Sequence, residues 1–356
     1  MSKVVILSGT VQSGKTTSLL KHFSKTKAVG GFICPDVNGA RMMYFVSESR
    51  VVPFQIPQKE KSILIGKFAF NEEVINKACD ILVHPLTLEN DFVIVDEIGP
   101  LELKEEGYYQ SLSILLESAK NKVDLTIVLV VRQHLVADVI SKFNLSEARI
   151  IAKEDLLPYS NLSSDLFGLI LSGGESSRMN KDKFLLKYDG VAQYKRLQKM
   201  FDELNLQTFL SCNENQNLIE NVVVRKIVDH EIYKDAGPLI GILSAFDQLQ
   251  SDLLIVGCDY PLLTTEHLQI LKQFSEYGFD DIAFVKNDRA DAIEPLICFL
   301  SKQSLTKLKQ FYIDGGRSLN KYLQQINPLK IQLNDDSFLR SFDTPEDYNS
   351  YLIIKA

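Results

Sequence analysis

The chain alternates short apolar runs with longer stretches in which apolar residues recur every three or four positions. Short runs rich in β-branched residues predict strands buried on both faces, and the longer spacing predicts amphipathic helices. In the first half the apolar runs fall at 4–7, 28–34, 92–95 and 125–131, with helical spacing over 16–23, 72–82, 109–119 and 135–143. In the second half, strands near 167–171, 207–211, 253–256 and 282–285 again alternate with helices. This order predicts an α/β protein made of two three-layer domains, each with a largely parallel sheet covered by helices. The stretch 158–165 opens with Pro158, is polar and has neither period, so it reads as a linker between domains at 1–157 and 166–356. Val4-Val5-Ile6-Leu7-Ser8-Gly9 and Gly168-Leu169-Ile170-Leu171-Ser172-Gly173 look alike, but the spacing beyond each glycine differs, so they are not a repeat.

Composition narrows the class. A length of 356 residues suits two domains, and 45% hydrophobic with 24% charged residues is ordinary for a globular chain. The net charge of -7 argues against a nonspecific nucleic-acid binder, which needs basic surface to displace counterions. The cysteines, Cys34, Cys79, Cys212, Cys258 and Cys298, are odd in number and form no C-x-x-C pair. Free thiols in a reducing cytoplasm are therefore expected, rather than a disulfide framework or zinc knuckle. The histidines are scattered. Met1 leads into a strand with no secretory apolar segment, and no run is long enough to span a bilayer, so a cytoplasmic protein with no membrane partner is expected.

Two phosphate motifs carry the chemistry. Gly9-Thr10-Val11-Gln12-Ser13-Gly14-Lys15-Thr16 fits G-x-x-x-x-G-K-S/T, between a predicted strand and a predicted helix that continues through Thr17. Glycines at Gly9 and Gly14 let backbone N–H groups face a phosphate, Lys15 reaches the outer phosphates, and the Thr16 hydroxyl suits Mg²⁺. The helix N-terminus adds positive potential. Phe92-Val93-Ile94-Val95-Asp96-Glu97 is a buried strand ending in two acids. Asp96 is placed to hold Mg²⁺ through water and Glu97 to polarise an attacking water as general base.

The segment Asp96-Glu97-Ile98-Gly99-Pro100-Leu101-Glu102-Leu103, with Gly31-Phe32-Ile33-Cys34-Pro35 and Arg41, resembles the THEP-type nucleoside-triphosphatases, a small P-loop family. The resemblance covers about residues 1 to 155 and implies a P-loop NTPase fold that binds and hydrolyses NTPs. Gln12 stands where that family usually has another glycine, which implies slower hydrolysis or altered loop closure.

The second motif is Leu171-Ser172-Gly173-Gly174-Glu175-Ser176-Ser177-Arg178-Met179-Asn180-Lys181-Asp182-Lys183. Gly173 and Gly174 permit close backbone approach to a nucleotide, and Arg178 and Lys183 can neutralise a triphosphate and the charge growing at its α-phosphorus. No G-K-S/T follows, so this is not a second P-loop. Asp259 ends a predicted strand, where ligands bind in α/β sheets. Asp229 lies in an acidic stretch with Glu231 and Asp235.

This motif, Asp229 with Gly237-Pro238-Leu239-Ile240-Gly241, Val256-Gly257-Cys258-Asp259-Tyr260-Pro261-Leu262-Leu263, Glu294-Pro295-Leu296 and Phe342-Asp343-Thr344-Pro345-Glu346-Asp347, in that order, resembles the MobA-type molybdenum cofactor guanylyltransferases. The resemblance covers about residues 166 to 356. It implies a Rossmann-like nucleotidyltransferase fold that joins GMP from GTP to molybdopterin, or to the molybdenum cofactor, and releases pyrophosphate. It places Leu171, Gly173, Gly174, Lys183, Asp229 and Asp259 at the nucleotide, Mg²⁺ on Asp259, and Lys183, Arg178 and Asp259 in catalysis. Asn180 and Asp343 depart from the usual glycine and asparagine; Asp343 adds a carboxylate expected on the pterin side. Two other readings stay open: a nucleotidyltransferase that uses CTP or a sugar phosphate, and a first domain that is a GTP-binding accessory module.

Overall fold

Alternation along the first-half strands decides the layering. Ile127, Leu129 and Val131 join one apolar cluster together with Val93, Val95 and Ile6 and with residues of the helices Glu72–Val83, Tyr109–Ala119 and Val136–Lys142. Val128, Val130, Ile94 and Leu7, which alternate with them, are equally buried but lie outside that cluster, so both sheet faces are covered. The computed structural model describes residues 3–58, 61–156, 165–172, 183–217, 222–289 and 292–354. It divides into two compact units, Met1–Asn161 and Leu162–Ala356.

In the first unit the strands Arg149–Ile151, Lys3–Gly9, Thr126–Arg132, Phe92–Ile98 and Val29–Ile33 are adjacent in that order, and all pair in parallel. The expected helices are present, each within a residue or two of its predicted ends. An antiparallel extension follows Val29–Ile33: Ala40–Phe45 pairs with Arg50–Pro53, and Gln55–Ile56, Phe68–Asn71 and Ser62–Ile65 form a small separate sheet. The alternation of parallel strands and helices did not predict this extension. Its first hairpin turns at Asn38-Gly39, both with positive φ, the conformation a tight two-residue turn needs.

In the second unit the parallel strands Arg225–Val228, Thr208–Cys212, Leu166–Leu171 and Asp252–Gly257 continue into the antiparallel strand Ile293–Leu300, then Asp281–Val285 and Leu329–Ile331. One face buries Leu169, Leu253, Ile255 and Cys298 under the helices Pro238–Leu249, Lys302–Ile313 and Leu319–Ile326. The helices Gln193–Glu203 and Thr265–Glu276 bury Leu197, Phe201, Leu268 and Leu271 outside that cluster. Gly168 belongs under one of them, because a Cβ there would meet the Phe201 ring at 2.6 Å.

A small third cluster of Tyr188, Phe342 and Tyr351 fastens the C-terminal segment to the hairpin at 187–192. Tyr351 donates to Oδ2 of Asp189 (2.9 Å) and Tyr348 to the carbonyl of Lys187 (2.8 Å).

Candidate functional site

The first unit gathers its candidate residues where Lys3–Gly9 ends and the helix Lys15–Phe23 begins. Gly14 takes φ +87° and caps the helix, and Gly9 faces Ser13, whose Oγ would lie 2.9 Å from an added Cβ. Gln12 has φ +59°, so the loop holds a glycine-like conformation at the position where this chain lacks glycine. The Lys15 ammonium folds over the loop and donates to the carbonyls of Gly9 (3.1 Å) and Thr10 (2.8 Å) and to Oγ of Ser13 (3.4 Å). Burial lowers its pKa. Thr17 is half-buried in the first turn.

The acid strand is bulged: Val95 pairs with Leu129 and Ile98 with Val131, so Phe92–Ile98 carries one extra residue between those pairs. The extra residue breaks the strand's alternation at Asp96 and Glu97, and Glu97 takes φ +68°. Asp96 is 1% exposed. Its Oδ2 accepts from the Thr16 hydroxyl (3.1 Å) and from the Cys34 backbone N–H (2.9 Å). Its Oδ1 accepts from the Glu97 N–H (2.9 Å). Burial, then the neighbouring Glu97 charge, pushes its pKa up to about 7. Glu97 meets two arginines: Arg41, from the Asn38-Gly39 hairpin, pairs with Oε1, and Arg132, at the end of Thr126–Arg132, lies 3.5 Å from Oε2. Arg41 is also tied to Asp36 (2.7 Å). The contact from Arg132 was not foreseen, although its place one position beyond the predicted strand 125–131 is a signal.

In the second unit Leu171 is buried at the end of its strand, while Gly173, Gly174, Arg178 and Asn180 lie outside the described residues, as does all but Asp165 of the predicted linker 158–165. Asp259 follows Asp252–Gly257. An added Cβ at Gly257 would lie 2.6 Å from its Oδ1, so glycine leaves the carboxylate room to fold over the strand end. Ser341 Oγ donates to its Oδ2 (3.0 Å), and its backbone carbonyl accepts from the Phe342 N–H (2.9 Å). Asp343 lies against Asp259 and pairs with Lys183 at 2.5 Å. The fold brings Asp343 to the Asp259 carboxylate. Burial, then the Asp343 charge, raises the Asp259 pKa to about 6. Burial also acts to raise Asp343, but Lys183 and Ser341 outweigh it and hold that group low.

The Thr-Pro-Glu-Asp sequence has a structural role. Oδ2 of Asp347 accepts from the backbone N–H groups of Asp343 (3.2 Å) and Thr344 (3.1 Å), and the Asp347 N–H donates back to the Thr344 hydroxyl (3.2 Å). With Pro345 opening the helix Pro345–Ile354, this is a reciprocal cap that fixes Asp343 just ahead of the first turn. Asp229 accepts from Ser211 (2.7 Å), and burial raises its pKa. Ser211 in turn lies against Gly241, where an added Cβ would collide with its hydroxyl. Glu294 is buried and accepts from the Tyr260 hydroxyl (2.5 Å), with Lys286 at 3.1 Å, so the Glu-Pro-Leu segment supports the residue next to Asp259. Cys258 is buried.

The oxygen sets at Thr16 with Asp96, and at Asp259 with Asp343, are hard donors of the kind Mg²⁺ takes. No helix among the described residues is long and apolar enough to cross a membrane.

The fold and the two strand-end sites define the class: a P-loop nucleotide-hydrolase fold joined to a Rossmann-like nucleotidyltransferase fold. Residues 4–152 match the family model described as NTPase, and residues 168–329 match the MobA-like NTP transferase domain. The chain is a fusion of a THEP-type NTPase domain with a MobA-like NTP transferase domain. A probable molybdenum cofactor guanylyltransferase of Bacillus anthracis is 29% identical over 189 residues, covering 51% of this chain and 92% of that protein. The molybdenum cofactor guanylyltransferase of Cupriavidus metallidurans is 25% identical over 192 residues, covering 52% of this chain and 94% of its own length. Among solved structures, molybdopterin-guanine dinucleotide biosynthesis protein A from Archaeoglobus fulgidus is 18% identical with a TM-score of 0.43, covering 53% of this chain and 97% of that one. THEP1 from Aquifex aeolicus is 20% identical with a TM-score of 0.34, covering 43% of this chain and 96% of that one.

Proposed function

We propose that the second unit transfers GMP from GTP to the terminal phosphate of molybdopterin and releases pyrophosphate. The observation that carries this reading is the meeting of Asp259, Asp343 and Lys183, from three separate segments, at the end of Asp252–Gly257. An oxygen of the acceptor phosphate attacks the α-phosphorus of GTP in line, and the bond from that phosphorus to the α–β bridging oxygen breaks. Mg²⁺ bound at Asp259, beside Asp343, supplies Lewis-acid charge to the donor phosphates. Lys183 and Arg178 offset the negative charge that grows on the donor phosphates, and Asp229, held by Ser211, contacts the nucleoside. Phosphoryl acceptors need little base help, so orientation of the two substrates supplies much of the rate. The relatives named guanylyltransferases support GTP as donor.

The first unit, on this reading, binds NTPs through Gly9, Gly14, Lys15, Thr16 and Thr17, takes Mg²⁺ at Thr16 and Asp96, and uses Glu97 to orient the attacking water. Glu97 is engaged by two arginines, which favours slow turnover or an accessory GTP-binding role over rapid hydrolysis.

The test is product detection. Purified protein, Mg²⁺, GTP and molybdopterin should yield the pterin–GMP dinucleotide with stoichiometric pyrophosphate, and chelation of the metal should stop both. Pyrophosphate release that does not require molybdopterin contradicts the proposal.

A further inference from the structure

Gln193 opens the helix Gln193–Glu203 fully buried, and nothing in the proposed transfer uses it. A buried amide is costly unless its groups are bonded, so its partners carry the information. Its side-chain nitrogen donates to the carbonyl of Tyr260, the residue after Asp259 (3.2 Å). Its side-chain oxygen accepts from Nη1 of Arg196, one turn along the same helix (3.0 Å), and Nη2 of Arg196 donates to the carbonyl of Pro261 (2.9 Å). The backbone N–H of Gln193, which a helix start leaves without a helical partner, donates to the carbonyl of Leu186 (2.9 Å), and the Leu186 N–H donates to the carbonyl of Lys183 (3.1 Å). The Arg196 guanidinium also lies 5.8 Å from the centre of the Tyr188 ring, which packs with Phe342, the neighbour of Asp343. One side-chain pair therefore touches the three segments that carry Asp259, Lys183 and Asp343.

We propose that Gln193 and Arg196 are positioning residues that hold the Asp259 carboxylate and the Lys183 ammonium at the spacing a metal-bound triphosphate requires. They act through the backbone, at the carbonyls of Tyr260 and Pro261 on one side and of Leu186 on the other. The need for such a hold is electrostatic. Asp259 and Asp343 repel when both are ionised, so a loose backbone lets the carboxylates part before a cation arrives. Loosening the pair therefore weakens cation capture first and leaves the other groups of the site in place. The planar fork of Arg196 suits the task, because one rigid group serves Gln193 and Pro261 together. This inference rests on the reading of the second unit as a metal-dependent nucleotidyltransferase.

The test uses the full chain with Gln193→Leu, which keeps most of the volume and removes the amide, and Arg196→Met, on a half-buried side chain, in case the first variant does not fold. Without metal or nucleotide, mass-spectrometric amide exchange should quicken about fivefold in the segments 183–188 and 258–263, the scale of one lost hydrogen bond, and little elsewhere. The Mg²⁺ concentration for half-maximal transfer should rise at least about tenfold, the scale that follows removal of a group behind a metal ligand, with the KM for GTP at saturating Mg²⁺ held within about twofold. Arg196→Lys, which keeps the charge without the fork, should fall between wild type and Arg196→Met. Unchanged exchange in both segments overturns the proposal. So does an unchanged Mg²⁺ requirement with activity falling only as folded protein is lost, which is what a merely structural role gives. If the wild-type chain makes no dinucleotide at all, the transferase reading fails, and the exchange measurement still decides whether the pair fixes the two segments.

Discussion

Asp96 and Asp259 stand in matching surroundings in two different folds. Each stands at the carboxyl end of a parallel strand, each is held by a hydroxyl from a distant segment, and each has a second carboxylate beside it. Burial is the main cause of both raised pKa values, about 7 and about 6. The folded chain keeps these protons at pH values where the unfolded chain has lost them, so the stability they contribute is full below the ordinary carboxylate range and is lost as pH rises through about 6 and then about 7. A divalent cation competes with those protons and reverses the loss. Mg²⁺ should therefore raise the melting temperature more at about pH 8 than at about pH 5.5, and Asp259→Asn should remove the part belonging to the second unit. Calorimetric scans at both pH values check this, and an Mg²⁺ effect as large in acid as in base would contradict it.

At the scale of elements, devices that the linear pattern does not display shape both sites. A bulge turns Asp96 and Glu97 out of the alternation of their strand, and a reciprocal cap at Thr344 and Asp347 fixes Asp343. Both residues of the cap were visible as a motif, but what the cap positions was not. Asp343 and Asp259 are far apart in sequence and meet because Phe342 and Tyr351 pack on Tyr188. No local spacing encodes such a contact, so the sequence did not display the meeting of Asp343 with Asp259. Thr344→Ala should cost the cap about 1 kcal/mol and so speed amide exchange through the first turn of Pro345–Ile354 about fivefold. It should slow nucleotidyl transfer as Asp343 loosens. Mass-spectrometric exchange on that segment measures the effect, and unchanged protection would show that the tyrosine packing alone holds it. The antiparallel extension that carries Arg41 illustrates the converse: Asn38-Gly39 is a strong hairpin signal, obscured because the strands it joins are short and interrupt an otherwise regular strand–helix order.

At the scale of the whole molecule, the main parallel strands of both units were legible because each is a short, nearly continuous apolar run. Hydrophobic periodicity reports such runs directly. Each unit carries its own phosphate motif and its own strand-end carboxylate, so the two activities should separate. Asp259→Asn should lower transfer by about 10²-fold or more and leave NTP hydrolysis intact, and Lys15→Ala should do the reverse. Steady-state rates of both reactions on both variants decide the point. If Lys15→Ala silences transfer while circular dichroism and melting are unchanged, the first unit is an obligatory nucleotide-driven partner of the second.

Donor competition tests most directly whether the second unit is a guanylyltransferase. GTP and CTP are supplied together at equal concentration with molybdopterin and Mg²⁺, and the two dinucleotide products are separated and counted. A guanylyltransferase should give at least about ten guanylyl products for each cytidylyl product, a difference of about 1.4 kcal/mol at the transition state. Equal yields, or an excess of the cytidylyl product, would contradict it.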